Sequence, residues 1–162
     1  MVLNTVLKKN IISLTIVFIV FLSDRVSKYI ILKLSQPLGE LNISVTSFLN
    51  FRLIWNNGIA FGLFSFEQDF YYNLFTLLII TITSIVIWLS YKADGLEKIS
   101  YLLIIGGSLG NIFDRILYSS VPDFIDISIN NFHWFIFNVA DIFISIGVVL
   151  LIILELFKKK IS

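Results

Sequence analysis

Three aspartates in this chain stand on three different hydrophobic stretches at one height. Counted at about 1.5 Å per helical residue from a flanking lysine, Asp24 lies about 22 Å from Lys9, Asp114 about 24 Å from Lys98 and Asp141 about 25 Å from Lys158. A carboxylate at that depth in lipid costs on the order of a few kcal/mol unless it is paired or wet. Three at one level therefore imply a shared polar site. Asp24 and Lys28 are spaced i, i+4 with the acid N-terminal, the better orientation for a helical pair. Asn111 shares a face with Asp114 and Arg115, and Asn138, Asp141 and Ser145 make another polar stripe. Asp123 follows Pro122, which stops a continuing helix, so it is expected on irregular backbone at the rim. Neither Asp123 nor Asp141 has a cation at helical spacing. Two such carboxylates near one apolar site cannot both ionise, and one keeps its proton, as in an aspartic-protease dyad. One can then take a proton from water while the other donates to a carbonyl or a leaving amine. Other readings stay open at this point. Asp24–Lys28 and Asp114–Arg115 can be pairs that only stitch helices together. The same carboxylates also suit a small transporter or proton relay, or a structural assembly factor.

The elements that must hold these residues follow from composition. The chain has 162 residues, 57% hydrophobic and 14% charged, with a mean hydropathy of +0.93. Soluble domains are about 45–50% apolar and about 25% charged, and a chain this short cannot hide the excess in its own core. Lipid must be part of its solvent. The net charge of +1 excludes a polybasic nucleic-acid binder. With no cysteine and a single histidine, disulfides, thiol nucleophiles and His-cluster metal sites are excluded as well.

Roughly 20 apolar residues cross a bilayer as a helix, and four spans are expected, near 10–34, 70–91, 99–118 and 138–157. The charged stretch Asp24 to Lys28 stands where a signal-peptide cleavage site would be, so the first span is expected to be retained. Placing the N-terminus inside puts Lys8, Lys9, Lys92, Lys98, Lys158, Lys159 and Lys160 in cytoplasmic segments and leaves Lys33 and Arg52 outside, as the positive-inside rule asks. Both termini are then cytoplasmic. In the outer loop, about 35–69, Leu41, Ile43 and Val45 alternate with polar residues, and so do Leu49, Phe51, Leu53 and Trp55, with a phase slip near Ser47 and Phe48. That is strand periodicity twice over, and Asn57-Gly58 is a turn signal. Residues 124–136 alternate too, and are expected to join this β-structure as a hairpin around Asn130-Asn131. The whole, 1–162, is expected to be one domain.

Gly106-Gly107-Ser108-Leu109-Gly110 matches the serine-hydrolase elbow G-x-S-x-G, but that motif needs a strand–turn–helix setting and here lies inside a span. Gly106 and Gly110 instead have the spacing of close helix packing. His133 is expected as an interfacial residue rather than a base.

Five short blocks make the chain resemble the lipoprotein signal peptidases, also called signal peptidase II, over its whole length. Asp24-Arg25-Val26-Ser27-Lys28 is similar to the family's D-x-x-[ST]-K. Asn56-Asn57-Gly58-Ile59-Ala60-Phe61-Gly62 is similar to N-x-G-x-A-F-G. Residues 106–115 resemble G-x-x-G-N-x-x-D-R, Val121 to Asp126 V-x-D-F-x-D, and Phe137 to Asp141 F-N-x-A-D. The resemblance implies a helical membrane protein with four spans and a small extracytoplasmic β-structure between the first and second. It implies an aspartic endopeptidase of the bacterial inner membrane, with its dyad at Asp123 and Asp141. Its substrate would be a diacylglyceryl-cysteine prolipoprotein, cut N-terminal to that cysteine. Asp24, Lys28, Asn56, Gly58, Asn111, Asp114, Arg115, Asn138 and Ala140 match positions that bind substrate or support the site. No metal or organic cofactor is implied. The partners would be the substrate and membrane lipids, with no nucleic acid, and the protein is expected to be a monomer. Three positions depart from the pattern. Trp55 replaces a common arginine, Ser119-Ser120 a common glycine, and Pro122 an ordinary residue.

Overall fold

The computed structural model describes residues 2–36, 41–57, 68–129 and 132–158. Four helices carry it: α1 (Val2–Ser35), α2 (Gln68–Ser90), α3 (Gly95–Tyr118) and α4 (Val139–Lys158). Four strands, β1 (Asn42–Ser44), β2 (Leu49–Asn56), β3 (Val121–Ile129) and β4 (Phe132–Phe137), form one antiparallel sheet in the order β1-β2-β3-β4.

The stretches Leu7–Ser35, Phe70–Ser90 and Val139–Lys158 are long and apolar enough to cross a membrane. The remaining helix, α3, is equally long but carries Glu97, Lys98, Asp114 and Arg115. It tolerates them because α1, α2 and α4 all pack around it, so much of its surface meets protein rather than lipid. Outward residues of the other helices are apolar and exposed, among them Leu14, Phe18, Leu77 and Leu156. An apolar exterior this extensive fits lipid contact.

Glycines set how closely α3 approaches its neighbours. A Cβ at Gly106 would lie 2.6 Å from Val20 Cβ on α1, and one at Gly107 2.6 Å from the Ala140 carbonyl on α4. Ser108 sits mid-helix among them, so the serine-elbow match lacks its structural setting.

The strand periodicity is realised, with the slip near Ser47 and Phe48 becoming the turn between β1 and β2. The sheet is not confined to the segment between α1 and α2. Half its strands come from between α3 and α4, and β2 pairs with β3 across that gap. The expected hairpin is β3–β4; its tip, Asn130-Asn131, lies outside the described residues, as does Gly58. Ile31 at the end of α1, Leu41 and Phe124 form a small buried core, with Phe51, Leu53, Ile125 and Val139 packed on it. This core fixes the sheet over the ends of α1 and α4.

Pro122 does not leave Asp123 on irregular backbone. Both lie within β3, where Pro122 faces Trp55 and Asp123 faces Ile54. The partner strand β4 ends opposite Ile125, so β3 is locally an edge at Pro122, where a sheet tolerates proline.

Candidate functional site

The start of α4 is built by its own side chains. Asn138 precedes the first helical residue, and its Oδ1 accepts the Asp141 N–H at 3.1 Å. The Asp141 carboxylate reaches back to the Asn138 N–H at 3.0 Å. This reciprocal pair is a capping box with Asp in place of the usual Glu. It satisfies two otherwise orphaned donors and locks the position of Asp141.

The same Asn138 holds Asp123. Its Nδ2 donates to Asp123 Oδ1 at 2.6 Å, while Asn56 Nδ2 on β2 donates to Asp123 Oδ2 at 2.8 Å. Asp141 is bonded likewise on both oxygens, with Asn111 Nδ2 on α3 donating to Oδ1 at 2.8 Å. Neither carboxylate has an ion-pair partner among the described residues. Asp123 is 4% exposed. Burial pushes its pKa up to about 6, against the pull of the Asn56 and Asn138 amides, and the neighbouring Asp141 adds to the rise.

Behind Asn111 lies a buried cluster of four charges. Lys28 Nζ donates to Asn111 Oδ1 at 3.0 Å, to Asp114 Oδ2 at 2.6 Å and to the Asp24 carboxylate at 2.9 Å. Arg25 grips Asp114 with Nη1 and Nη2 at 2.5 and 2.7 Å and reaches Asp24 at 2.7 Å. Bidentate pairing of this kind suits a guanidinium. Two acids and two bases balance to zero. Asp24 also accepts the Ala140 N–H at 3.1 Å, so Ala140 takes part through its backbone.

The expected Asp24–Lys28 pair is present. An Asp114–Arg115 pair is not, because adjacent helical positions point about 100° apart. Asp114 faces α1, whereas Arg115 lies toward α2, its guanidinium 5.3 Å from the Tyr72 ring. Tyr72 Oη donates to the Arg115 carbonyl at 3.2 Å. Arg115 is 9% exposed, yet its Nε and Nη1 have no hydrogen-bond partner among the described residues. Arg25 was missing from the expected site. No helical spacing marks it, since its main partner is 89 positions away. Trp55, where an arginine was noted as common, packs edge-on against Tyr118 at 5.5 Å. His133 lies on β4 and bonds buried Asp126 through Nδ1 at 2.7 Å.

A continuous hydrogen-bonded path thus runs from Arg25 and Lys28 through Asn111, Asp141, Asn138 and Asp123 to Asn56. Charges sit at one end of it, and two amide-held carboxylates at the other. Such a pair can accept one proton and deliver another.

The chain has named relatives along nearly its whole length. The family profile described as Signal peptidase (SPase) II matches residues 16–157. The chain is similar to the lipoprotein signal peptidase of Pelagibacter ubique, 50% identical over 151 residues, covering 93% of this chain and 91% of that protein. It is similar to that of Thermodesulfovibrio yellowstonii, 39% identical over 136 residues, covering 84% and 88%. Among solved structures, it is similar to one described as a bacterial membrane enzyme determined by the in meso method at 2.3 Å. That match has a TM-score of 0.75 and 33% identity, and covers 91% of this chain and 88% of the other.

Proposed function

The chain belongs to the signal peptidase II family, and from that premise we propose that it is an aspartic endopeptidase that matures lipoproteins in a bacterial membrane. Its substrate is a prolipoprotein bearing a diacylglyceryl-modified cysteine, cut on the N-terminal side of that cysteine. The observation that carries this reading is one residue, Asn138, whose side-chain amide donates to the Asp123 carboxylate and whose backbone N–H donates to that of Asp141. Two carboxylates joined in this way, one with its pKa raised by burial, meet the requirements of a general acid and a general base.

Asp141 takes a proton from a water molecule, and the resulting oxygen nucleophile adds to the carbonyl carbon before the cysteine. Asp123, holding its proton, gives it to the carbonyl oxygen. Collapse of the tetrahedral intermediate breaks the C–N bond: Asp141 passes the proton it took from water to the leaving amine, and a hydroxyl of the intermediate returns one to Asp123. The products are a signal peptide ending in a carboxyl group and a lipoprotein starting with the modified cysteine. Arg115, with two buried N–H groups unpaired, is suited to hold a substrate carbonyl. Asn56, Asn111 and Asn138 orient the dyad. Asp24, Lys28 and Asp114 hold α1, α3 and α4 in register beneath it, and Gly58 continues the Asn56 block. The enzyme works as a monomer with four spans and cytoplasmic termini, its dyad near the outer surface where water enters.

The test is cleavage of a defined lipid-modified precursor by purified protein. Asp123→Asn and Asp141→Asn are each expected to lower the rate by about 10³-fold or more, with insertion and folding intact. Retained cleavage in both variants would sink the dyad. Unlipidated precursor is expected to be a poor substrate, because the lipid contributes positioning.

A further inference from the structure

The strand β4 reads Phe132-His133-Trp134-Phe135-Ile136-Phe137. Among the described residues it is an edge strand paired only with β3, and no helix packs along it to any extent. Natural sheets blunt such edges with lysine, proline or inward charges, and β4 contains none of these. A register shift lies at its far end, between Ile127 and Ser128. The half nearer α4 is regular, with Phe135, Ile136 and Phe137 opposite Ile127, Asp126 and Ile125. Phe135 is 72% exposed. Backbone donors and acceptors are therefore left open beside an apolar surface. Such an open edge is a template on which an added strand can pair.

The position of this edge indicates the occupant. Phe137 runs directly into Asn138 and the capping box that holds Asp141. Extending the β3–β4 register by two residues brings Asp123 level with Val139, just past the end of β4. A chain lying along β4 would pass from the dyad outward. We infer that the open edge of β4 binds the substrate residues that follow the cut bond, as an additional antiparallel strand. The direction follows from connectivity. The sheet leads into a membrane-spanning helix at Phe137, and the substrate emerges from the membrane past the same point, running opposite to β4. Antiparallel pairing is also the more stable kind. Counted from the cut bond, about two substrate residues reach the level of Phe137 and about four reach Phe135.

This inference rests on the proposed peptidase activity, and one experiment separates the two. Synthetic diacylglyceryl lipopeptides spanning the cut site carry a single N-methyl group at each of the second to fifth residues after the cut. Strand pairing predicts alternation: one set of positions loses about five- to tenfold in kcat/KM, the size of one lost hydrogen bond, and the intervening set does not. Failure to cleave the unmethylated parent overturns the peptidase reading and this inference with it. Cleavage of the parent with uniform sensitivity, or none, overturns the inference alone. The chain contains no cysteine, so Phe135→Cys offers an independent check. A disulfide to a cysteine at the fourth residue after the cut supports the added strand. A disulfide only between two copies of the enzyme, unaffected by substrate, overturns it.

Discussion

Asp24 and Ala140 are 116 positions apart in sequence, and the carboxylate of one accepts the backbone N–H of the other at 3.1 Å. The first turn of a helix has free N–H groups and a partial positive charge. Asp24 therefore caps α4 from α1, one residue before Asp141. The charged cluster and the proposed dyad are in this way one mechanical unit.

Gly110 makes room for the Asp24 carboxylate in that unit. A Cβ there would lie 2.6 Å from Asp24 Oδ2. Gly110→Ala is predicted to push the carboxylate off Lys28 and Ala140, costing about 1–3 kcal/mol as overpacking does, and to lower kcat more than stability alone explains. Thermal unfolding in detergent together with lipopeptide turnover checks this. An unchanged kcat would show that the contact relaxes harmlessly.

Asn138 supplies a cap and a bridge at once. Asn138→Ala is predicted to lose about 1 kcal/mol from the cap, and about as much again from the bond to Asp123. Turnover is expected to fall about 100-fold, because both carboxylates lose orientation. Near-normal turnover would mean that Asn56 and Asn111 suffice to hold them.

Burial gives Asp123 a testable pH signature. Its pKa is raised to about 6, above the unfolded value near 3.9, so the folded protein prefers the protonated form. Stability from this group is complete below pH 4 and is lost as pH rises through about 6. At about 1.4 kcal/mol per unit, the loss approaches 3 kcal/mol. Asp123→Asn removes the titration, so the variant's Tm should gain on wild type between pH 4 and 7 and run parallel above. A constant Tm difference across that range would contradict the raised value.

The convergence of Asp24, Asp114 and Asp141 on one polar network, and the lack of an ion pair at Asp123 and Asp141 among the described residues, were legible in residue spacing. So were the β3–β4 hairpin and the turn near Ser47, because strand alternation is local. Arg25 was not, since its pairing with Asp114 depends on how closely α1 and α3 pack, and that is set by glycines acting between helices. Arg115 was misplaced beside Asp114 because sequence neighbours on a helix face different partners. Asn138 and Asp141 looked like a stripe on one helix. Their spacing also carried a capping-box signal, with Asn138 just outside the helix.

Arg115 offers a contrast between stability and activity. A buried guanidinium whose Nε and Nη1 find no partner among the described residues is not a net stabiliser. Arg115→Met is predicted to keep or raise Tm while lowering kcat/KM about 10-fold or more. A large drop in Tm would show that the Tyr72 contact, not substrate, is its purpose.

Ser119 closes α3 with φ of 54°, its N–H bonded to the Arg115 carbonyl at 3.1 Å. This left-handed position favours glycine. Ser119→Gly is predicted to add about 0.5–1 kcal/mol with turnover unchanged, read from Tm and a cleavage assay.

The balanced cluster also imposes an order of events during synthesis. Asp24, Arg25 and Lys28 together carry one net positive charge on α1, and the neutralising Asp114 is made 89 residues after Arg25. At about 5–20 residues per second, that is a delay on the order of ten seconds. Through that interval the extra positive charge on α1 lacks its partner, and an unpaired charge is costly to bury. The charged segment of α1 is therefore completed only by α3, the element that brings Asp114 to it.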